Sequence, residues 1–384
     1  MRACSVISVC LILAIALTIF PSLPCYSESP ESLLGISARS AALIDADEGE
    51  LLFGKNERER LPMASTTKIM TALVVAELLE PDEVITVPRD AVGIEGSSVY
   101  LAEGEMLTIS ELLHALLLES ANDAAVALAI AASGSIEDFA KKCNEKAQSL
   151  QLRDTNFTNP HGLYEREHYT TAYDLAIISA QAMKTPQIRE ITAKKSATVP
   201  LGVTKDNPNG EGVRRLNNHN KMLSRYEGAI GIKTGFTKKS GRCLASAAER
   251  DSLTLIAVTL NAPDDWNDHK RLLDFGFSRF ERRTVFGAGE FCFDFPLSNA
   301  NEEYIRAVNL SPIELTVPKT AKSHSHCVEA GFRFAVAPVK AGQILGELTV
   351  EIDGKIRRST LVAEKSVGSK DKKRSLLDFI KIKD

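Results

Sequence analysis

The segment PMASTTKIM, residues 62–70, places a lysine three residues after a serine at the head of an apolar stretch. On a helix, positions i and i+3 share one face, so the side chains of Ser65 and Lys68 would be within reach of each other. Burial among Ile, Met, Leu, Val and Ala would disfavour the ammonium form of Lys68 and lower its pKa. A serine hydroxyl becomes an effective nucleophile beside such a base. The alternative is chance, since Ser369 and Lys372 show the same spacing in a basic tail.

A short polar break separates two apolar segments further along the chain. Ser120 and Asn122 stand in it, within LLLESANDAAVALA, and an extended turn would direct both side chains toward one cleft. Capping of the next helix by Asn122 or Asp123 is the structural alternative. That alternative accounts for one of the two polar residues and leaves Ser120 unexplained.

The segment GIKTGFT carries the second lysine of interest. Lys233 stands on an expected strand composed otherwise of Gly, Ile and Ala, and Thr234 and Gly235 follow it. A lysine beside a threonine hydroxyl suits the binding of a carboxylate. A glycine lets a ligand backbone approach the strand closely. The alternative is an exposed lysine on an edge strand, which discourages strand pairing.

Hydrophobic periodicity predicts the elements that would position these residues. Residues 40–56 alternate around an Asp-Glu-Gly turn, which is typical of a β-hairpin, and helical patterns dominate from Thr66 to Met183. In TISELLHALLLES, Thr108 and Glu111 form a capping box. From Gly228 the period changes to two, which predicts antiparallel strands. We therefore expect an α/β (α+β) fold in which early and late strands share one sheet, with helices flanking it and inserted between them.

Composition and charge narrow the function classes. Of 384 residues, 44% are hydrophobic and 25% charged, which is typical of a globular protein, and the net charge of −4 favours no nucleic-acid partner. Neither a His/Cys set at metal-ligand spacing nor a glycine-rich nucleotide-binding pattern is present in the sequence. No metal ion or other cofactor is expected.

The first 27 residues have the features of a secretory signal peptide. Arg2 precedes an apolar run from Val6 to Phe20 that is too short to span a bilayer, and a cut after Ser27 fits the sequence CYSES. We therefore expect an exported protein. Of the seven cysteines, three belong to this segment, Cys143 and Cys243 fit small core positions, and pairing of Cys292 with Cys327 is left open.

Ser-x-x-Lys, Ser-x-Asn and Lys-Thr-Gly, in this order, resemble the signature of the penicillin-recognising serine enzymes. More narrowly, the chain resembles the low-molecular-weight penicillin-binding proteins that are serine-type D-alanyl-D-alanine carboxypeptidases. Residues 96–129, NPHGL at 159–163 and GIKTGFT with GRCLASA carry this resemblance, which covers roughly Ser40 to Phe280. It implies a penicillin-binding transpeptidase/β-lactamase-like catalytic domain with a small C-terminal all-β domain.

The resemblance implies a role for each chemistry-bearing residue. Ser65 would be the acylated nucleophile, Lys68 its general base, and Ser120 a proton relay to the departing D-alanine. Asn122 would hold the peptide group of the substrate. The expected substrate is the peptidoglycan stem pentapeptide, and β-lactams would be acylating inhibitors.

The remaining implied roles lie on the Lys-Thr-Gly strand. Lys233 and Thr234, next to Gly235, would bind the terminal carboxylate of the substrate. The backbone N–H groups of Ser65 and Phe236 would form the oxyanion hole. Some members place an arginine shortly after the strand hairpin to help hold this carboxylate, whereas DDWNDHKR offers acidic residues here.

Two other functions are weighed against the carboxypeptidase. A serine β-lactamase needs a second base for its deacylating water, and Glu165 and Glu167 lie in the relevant region, but NPHGL and the appended β-domain favour a carboxypeptidase. An inactive peptidoglycan-binding homologue is the other alternative. It has no need of a buried base behind a serine.

The predicted organisation has four parts: a signal peptide at residues 1–27, the catalytic domain at 28–283, a β-rich domain at 284–363 and a basic tail at 364–384. The tail mixes basic residues with Leu and Ile, which suits an anionic membrane surface. A solvated tail is the alternative. We expect the protein at the outer face of a bacterial cell membrane or in the cell wall.

Overall fold

The fold is described from a computed structural model for residues 34–322, 325–329, 334–352 and 354–370. The chain divides between Ile36 and Ser37, and the unit from Ser37 onward contains all the elements below. The predicted signal peptide and the tail beyond residue 370 lie outside the described residues. Within the described part, no helix has the length and apolar character required to cross a membrane.

A five-stranded antiparallel sheet with the order β2-β1-β9-β8-β7 forms the centre of the catalytic region. Its strands are β1 (Ser40–Asp45), β2 (Leu51–Lys55), β7 (Ala229–Thr237), β8 (Gly241–Arg250) and β9 (Leu253–Leu260). Ser40 pairs with Leu260, so the first strand and the last are neighbours, as predicted. Every residue of β1 is buried, because helices cover both faces of the sheet.

Eight helices accompany this sheet in the described residues: α1 (Lys68–Leu78), α2 (Ile109–His114), α3 (Asn122–Ser133), α4 (Ile136–Ser149), α5 (Ala172–Met183), α6 (Pro186–Ala193), α7 (Met222–Arg225) and α8 (Asp265–Arg279). Two short hairpins join them, formed by β3 (Val84–Thr86) with β4 (Met106–Thr108) and by β5 (Ser196–Pro200) with β6 (Val213–Asn217). Residues 68–75 of α1 are all buried. A helix that is apolar on all sides must lie inside the fold, so its single lysine is carried into the interior.

The segment TISELLHALLLES lies in the predicted helical region but is not a continuous α-helix. It begins with the predicted capping box, in which Thr108 Oγ1 accepts from the Glu111 N–H and the Glu111 carboxylate accepts from the Thr108 N–H. After α2 the chain widens into a π-helical turn, Ala115–Glu119, and ends at Ser120 with φ = 62°. π-Turns occur often at functional sites, and this one redirects the chain where Ser120 stands.

The C-terminal region is the predicted small all-β domain. Its strands are β10 (Phe280–Phe286), β11 (Cys292–Ser298), β12 (Tyr304–Asn309), β13 (Ile313–Pro318), β14 (Ser325–Glu329), β15 (Ala335–Val336), β16 (Ile344–Ile352) and β17 (Lys355–Ala363). Six of them form a sheet in the order β14-β16-β17-β12-β11-β15, while β10 pairs with β13. The domain has its own apolar core. Cys292 and Cys327 are exposed and unpaired, whereas Cys143 and Cys243 are buried in the catalytic core, as predicted.

Candidate active site

Ser65 lies in a tight turn that leads into the central helix. Residues Ala64–Thr67 form one turn of 3₁₀-helix, and α1 starts at Lys68. Ala64 has φ = 48°, which is an uncommon backbone conformation for a residue with a Cβ atom. Within this turn Thr66 and Thr67 are buried and Ser65 is partly exposed. The backbone thus directs the serine, and not its threonine neighbours, toward solvent.

The amine of Lys68 is fully buried and contacts three oxygen atoms. Its Nζ lies 3.0 Å from Ser65 Oγ, 2.6 Å from Asn122 Oδ1 and 2.7 Å from the His161 carbonyl oxygen. The Asn122 oxygen faces Lys68 because the Asn122 amide nitrogen donates to the Glu95 carbonyl oxygen at 2.5 Å. Carbonyl oxygens only accept hydrogen bonds, whereas a hydroxyl can donate one.

These partners fix the directions of the N–H bonds and the lone pair when Lys68 is neutral. A neutral amine has two N–H bonds, which the oxygens of Asn122 and His161 accept, and one lone pair that faces Ser65. Burial, followed by the charge of Lys233, lowers the pKa of Lys68 well below its usual value, while Asp123 acts in the opposite direction. The geometry therefore suits proton transfer from the Ser65 hydroxyl to Lys68.

Ser120 and Asn122 meet at the junction of the π-turn and α3. Ala121 is the N-cap of α3 and makes no side-chain cap, so the capping interpretation is wrong for Asn122. Asp123 does bind the first turn of the helix, since its carboxylate accepts from the Ala124 N–H at 2.9 Å. The Asp123 carboxylate also accepts from Ser98 Oγ at 2.6 Å and from the Leu101 N–H at 3.0 Å. It thereby holds the loop at residues 97–101 beside the site.

Lys233 is buried although its strand, β7, is at the edge of the sheet. Only 2% of the residue is exposed, which contradicts the interpretation as a solvated edge lysine. Its Nζ donates to the Thr234 carbonyl oxygen at 3.1 Å. Burial lowers the pKa of Lys233 to about 7, against the opposing effect of the Glu119 carboxylate. Lys233 can therefore change charge near neutral pH.

Gly235 has a different neighbour from the one that the sequence suggested. A Cβ atom at this position would lie 2.9 Å from the Ser65 backbone nitrogen and 3.0 Å from that of Thr66. Such distances are too short for a real side chain. The glycine thus lets the turn at Ser65 pack directly against β7, whereas the sequence suggested that a ligand backbone makes this close approach.

A cleft of about 380 Å³ opens beside Ser65. It is lined by Ser65, Ser97, Ser120, His219, Lys221, Thr234, Gly235, Phe236, Arg242, Asp265 and Trp266. Five of the eight predicted site residues are on this surface, and Lys68, Asn122 and Lys233 are buried. The cleft also includes charged residues that the sequence analysis did not select.

Arg242 is the main residue that the sequence analysis missed. It pairs with Phe236 in the register of β7 and β8, so its side chain and that of Thr234 emerge on the same face of the sheet. Its guanidinium donates to Asp265 Oδ1 at 2.9 Å and lies 5.6 Å from the ring centroid of Trp266. Thus the acidic stretch noted in the sequence holds an arginine that comes from the hairpin strand. The expected pairing of β7 with β8 could have predicted that Arg242 lies at the site.

The loop after α4 contributes backbone and not a second base to the site. His161 supplies its carbonyl oxygen to Lys68, and burial lowers the pKa of the His161 imidazole to about 4. Glu165 accepts from Asn159 Nδ2 at 2.8 Å, and Glu167 is exposed. Neither glutamate is among the residues that line the cleft, so the β-lactamase alternative finds no deacylating base there.

Comparison with known proteins decides the family. A family model described as D-alanyl-D-alanine carboxypeptidase, peptidase S11, matches residues 27–264. The chain belongs to this family. A second model, described as the C-terminal domain of penicillin-binding protein 5, matches residues 280–369. The predicted recognition, fold and enzyme class are confirmed: the protein is a serine-type D-Ala-D-Ala carboxypeptidase, a hydrolase of the low-molecular-weight penicillin-binding proteins.

Individual relatives agree with this family over most of the chain. The D-alanyl-D-alanine carboxypeptidase DacF of Bacillus subtilis is 33% identical, over 91% of this chain and 90% of the relative. DacA of Haemophilus influenzae is 28% identical over 88% of each. Among solved structures, penicillin-binding protein 5 of Haemophilus influenzae has a TM-score of 0.69 at 27% identity, covering 87% of this chain and 98% of that one.

The pKa of Lys233 predicts an alkaline limit for this family member. Its ammonium form can hold a carboxylate, and that form is lost as the pH rises through about 7. We expect kcat/KM for a D-Ala-D-Ala peptide, which reports the free enzyme, to fall above this pH. For the same peptide with a C-terminal amide, kcat/KM should not fall in this pH range. Equal alkaline limbs for the acid and the amide would contradict the assignment of Lys233 to the carboxylate.

Proposed function

We propose that the protein removes the terminal D-alanine of peptidoglycan pentapeptides through an acyl-enzyme on Ser65, and that β-lactams acylate the same serine. The contact set of Lys68 is the observation that carries this proposal. A buried amine with two carbonyl acceptors and one hydroxyl partner at 3.0 Å is built to receive the hydroxyl proton. A protein that only binds peptidoglycan has no use for that arrangement.

In the proposed acylation, Ser65 Oγ attacks the carbonyl carbon of the penultimate D-alanine while its proton passes to Lys68. The N–H groups of Ser65 and Phe236 stabilise the resulting oxyanion. When the C–N bond breaks, the leaving amine of D-alanine takes a proton relayed through Ser120. Water then hydrolyses the serine ester, which regenerates the Ser65 hydroxyl and releases the shortened peptide.

The charged residues of the cleft support a position for the substrate carboxylate. Lys233 and Thr234 lie on β7, and Arg242 adds a guanidinium on the same face of the sheet as Thr234. Arg242 keeps a fixed orientation through Asp265 and Trp266, so little conformational entropy is lost when it binds an anion. In this proposal Asn122, whose oxygen binds Lys68 and whose amide nitrogen donates one N–H to Glu95, holds the peptide group of the substrate through its second N–H.

Export belongs to the same proposal, because peptidoglycan lies outside the cytoplasm. The features of residues 1–27 support a cleaved secretory signal, and the basic, apolar composition of residues 364–384 supports association with an anionic membrane surface. Most of both segments lies outside the described residues. Fractionation of cells that produce the whole chain, with and without residues 371–384, tests the placement.

Release of D-alanine from a peptide ending in D-Ala-D-Ala tests the chemistry. We expect the purified enzyme to release it, and the Ser65→Ala variant to lose this release and the covalent penicillin adduct, since the acyl group would have no oxygen to bind. Mass spectrometry measures the adduct. The mutation removes one oxygen atom from a partly exposed residue, so the thermal unfolding midpoint should change little.

Three other outcomes would contradict the proposal in different ways. An adduct that persists in the Ser65→Ala variant would place the nucleophile elsewhere. Rapid hydrolysis of benzylpenicillin without release of D-alanine would indicate a β-lactamase. A lack of both reactions in the folded wild-type protein would leave a peptidoglycan-binding protein.

The Arg242→Gln substitution tests the carboxylate site separately. Loss of the guanidinium should weaken recognition of a free C-terminal carboxylate and raise KM about 10-fold for that peptide, as expected for one charge-assisted contact. The corresponding C-terminal amide should be affected much less. An equal loss for both substrates would show that Arg242 contributes only to the shape of the cleft.

A further inference from the structure

His168 begins a chain of hydrogen bonds that ends at the residue before the nucleophile. The Thr158 N–H donates to His168 Nδ1 at 3.0 Å, and His168 Nε2 lies 2.8 Å from Thr67 Oγ1. Thr67 Oγ1 in turn lies 2.7 Å from the Ala64 carbonyl oxygen, to which it donates. His168 and Thr67 are both buried, at 2% and 1% exposure.

Only one arrangement of protons satisfies this chain. A backbone N–H can only donate, so Nδ1 of His168 is the unprotonated nitrogen and Nε2 carries the hydrogen. A carbonyl oxygen can only accept, so the Thr67 hydroxyl donates to Ala64 and accepts from His168. The imidazole is therefore neutral. Its pKa, lowered to about 4 by burial and then by Lys68, agrees with this state.

The carbonyl at the end of the chain belongs to the peptide group that joins Ala64 to Ser65. A trans peptide group is planar, with its C=O and N–H bonds pointing in opposite directions. Whatever fixes the Ala64 carbonyl therefore fixes the Ser65 N–H, which is one of the proposed oxyanion donors. Since Ala64 has φ = 48°, its own preferences do not favour this orientation and outside contacts must hold it.

A second contact holds the same carbonyl from the loop that carries His168. A Cβ atom on Gly162, which has φ = 89°, would lie 2.0 Å from the Ala64 carbonyl oxygen and 2.8 Å from Thr67 Oγ1. The bare glycine backbone thus packs against the peptide group. Asn159, which is 3% exposed, keeps the loop in place because its Oδ1 accepts from the Gly162 N–H at 2.7 Å.

We propose that His168 is a positioning residue that, through Thr67, fixes the Ser65 N–H in the orientation that the oxyanion requires. The inference rests on the proposed acylation of Ser65, and it assigns to His168 a role in the acylation step and none in substrate binding. His168 touches neither the substrate nor Ser65. Its effect passes through one hydroxyl and one peptide plane.

Matched substitutions at Thr67 separate this role from packing. Thr67→Val keeps the side-chain shape but removes the hydroxyl, whereas Thr67→Ser keeps the hydroxyl and removes a methyl group. We expect Thr67→Val to slow acylation by a fluorescent penicillin about 100-fold at saturation, the size of effect that a small misplacement near the reacting atoms produces. The apparent dissociation constant should stay within about 3-fold of wild type, and Thr67→Ser should acylate at close to the wild-type rate.

Two substitutions at His168 form a second matched pair of variants, which tests the positioning role even if Thr67→Val does not fold. The amide nitrogen of Gln in His168→Gln can reach Thr67, whereas the shorter side chain in His168→Asn cannot. We expect the Gln variant to acylate at least about 10-fold faster than the Asn variant. His269→Gln is the matched control, because His269 is equally buried but bonds to Ser246 and Thr259, away from the nucleophile turn. It should lower the thermal midpoint and leave the acylation rate of folded protein unchanged.

Each of these measurements can overturn the proposed role of His168. A Thr67→Val variant that acylates at the wild-type rate, an equal loss in Thr67→Ser, or an Asn variant at His168 as fast as the Gln variant would overturn the positioning role. If His269→Gln slowed acylation as much as the His168 substitutions do, the loss at His168 would reflect lower stability of the protein and not a positioning role. A wild-type enzyme that penicillin does not acylate would instead remove the proposed function, and this inference with it.

Discussion

The burial of one amine is the constraint on which the rest of the structure depends. Lys68 is fully inside the protein, where a charged ammonium is costly, and only a neutral form can serve as a base for Ser65. Its two N–H bonds need acceptors in that interior, since an unsatisfied buried donor costs about 1–3 kcal/mol. Asn122 and His161 supply them, and the remaining lone pair faces the serine. Three distant parts of the chain therefore have to meet at one nitrogen atom.

The architecture brings these parts together. The apolar helix α1 carries Lys68 inward, and the π-turn before α3 turns the chain at Ser120. The loop at residues 159–168 packs its backbone against the turn at residues 64–67. Strand β7 completes the site, because Gly235 lets it pass directly beside Ser65. The two lysines of the site also influence each other, since the charge of Lys233 contributes to the low pKa of Lys68.

The sequence predicted the residues that the structure brings together at the candidate site, and it predicted less well how they are held. Ser65, Lys68 and Lys233 stand out because they are polar residues in apolar segments. The change of the hydrophobic period to two at Gly228 predicts the strands of the sheet. The π-turn was missed because a helical period of 3.6 does not reveal one extra residue per turn. Arg242 was missed because its importance depends on cross-strand pairing with Phe236, which is a contact between residues and not a local pattern. The role of His168 depends on the orientation of a single peptide group, which periodicity and spacing do not encode.

The ionisation of Lys68 is the most direct test of this account. Lysine labelled with ¹⁵N at Nζ, with the Lys68 signal assigned by comparison with a Lys68→Arg variant, can be followed by NMR as the pH is changed. We expect the Lys68 signal to titrate well below the usual lysine pKa of about 10.4, because burial disfavours the ammonium form. A Lys68 Nζ that stays protonated up to the ordinary lysine range would contradict its role as the base for Ser65.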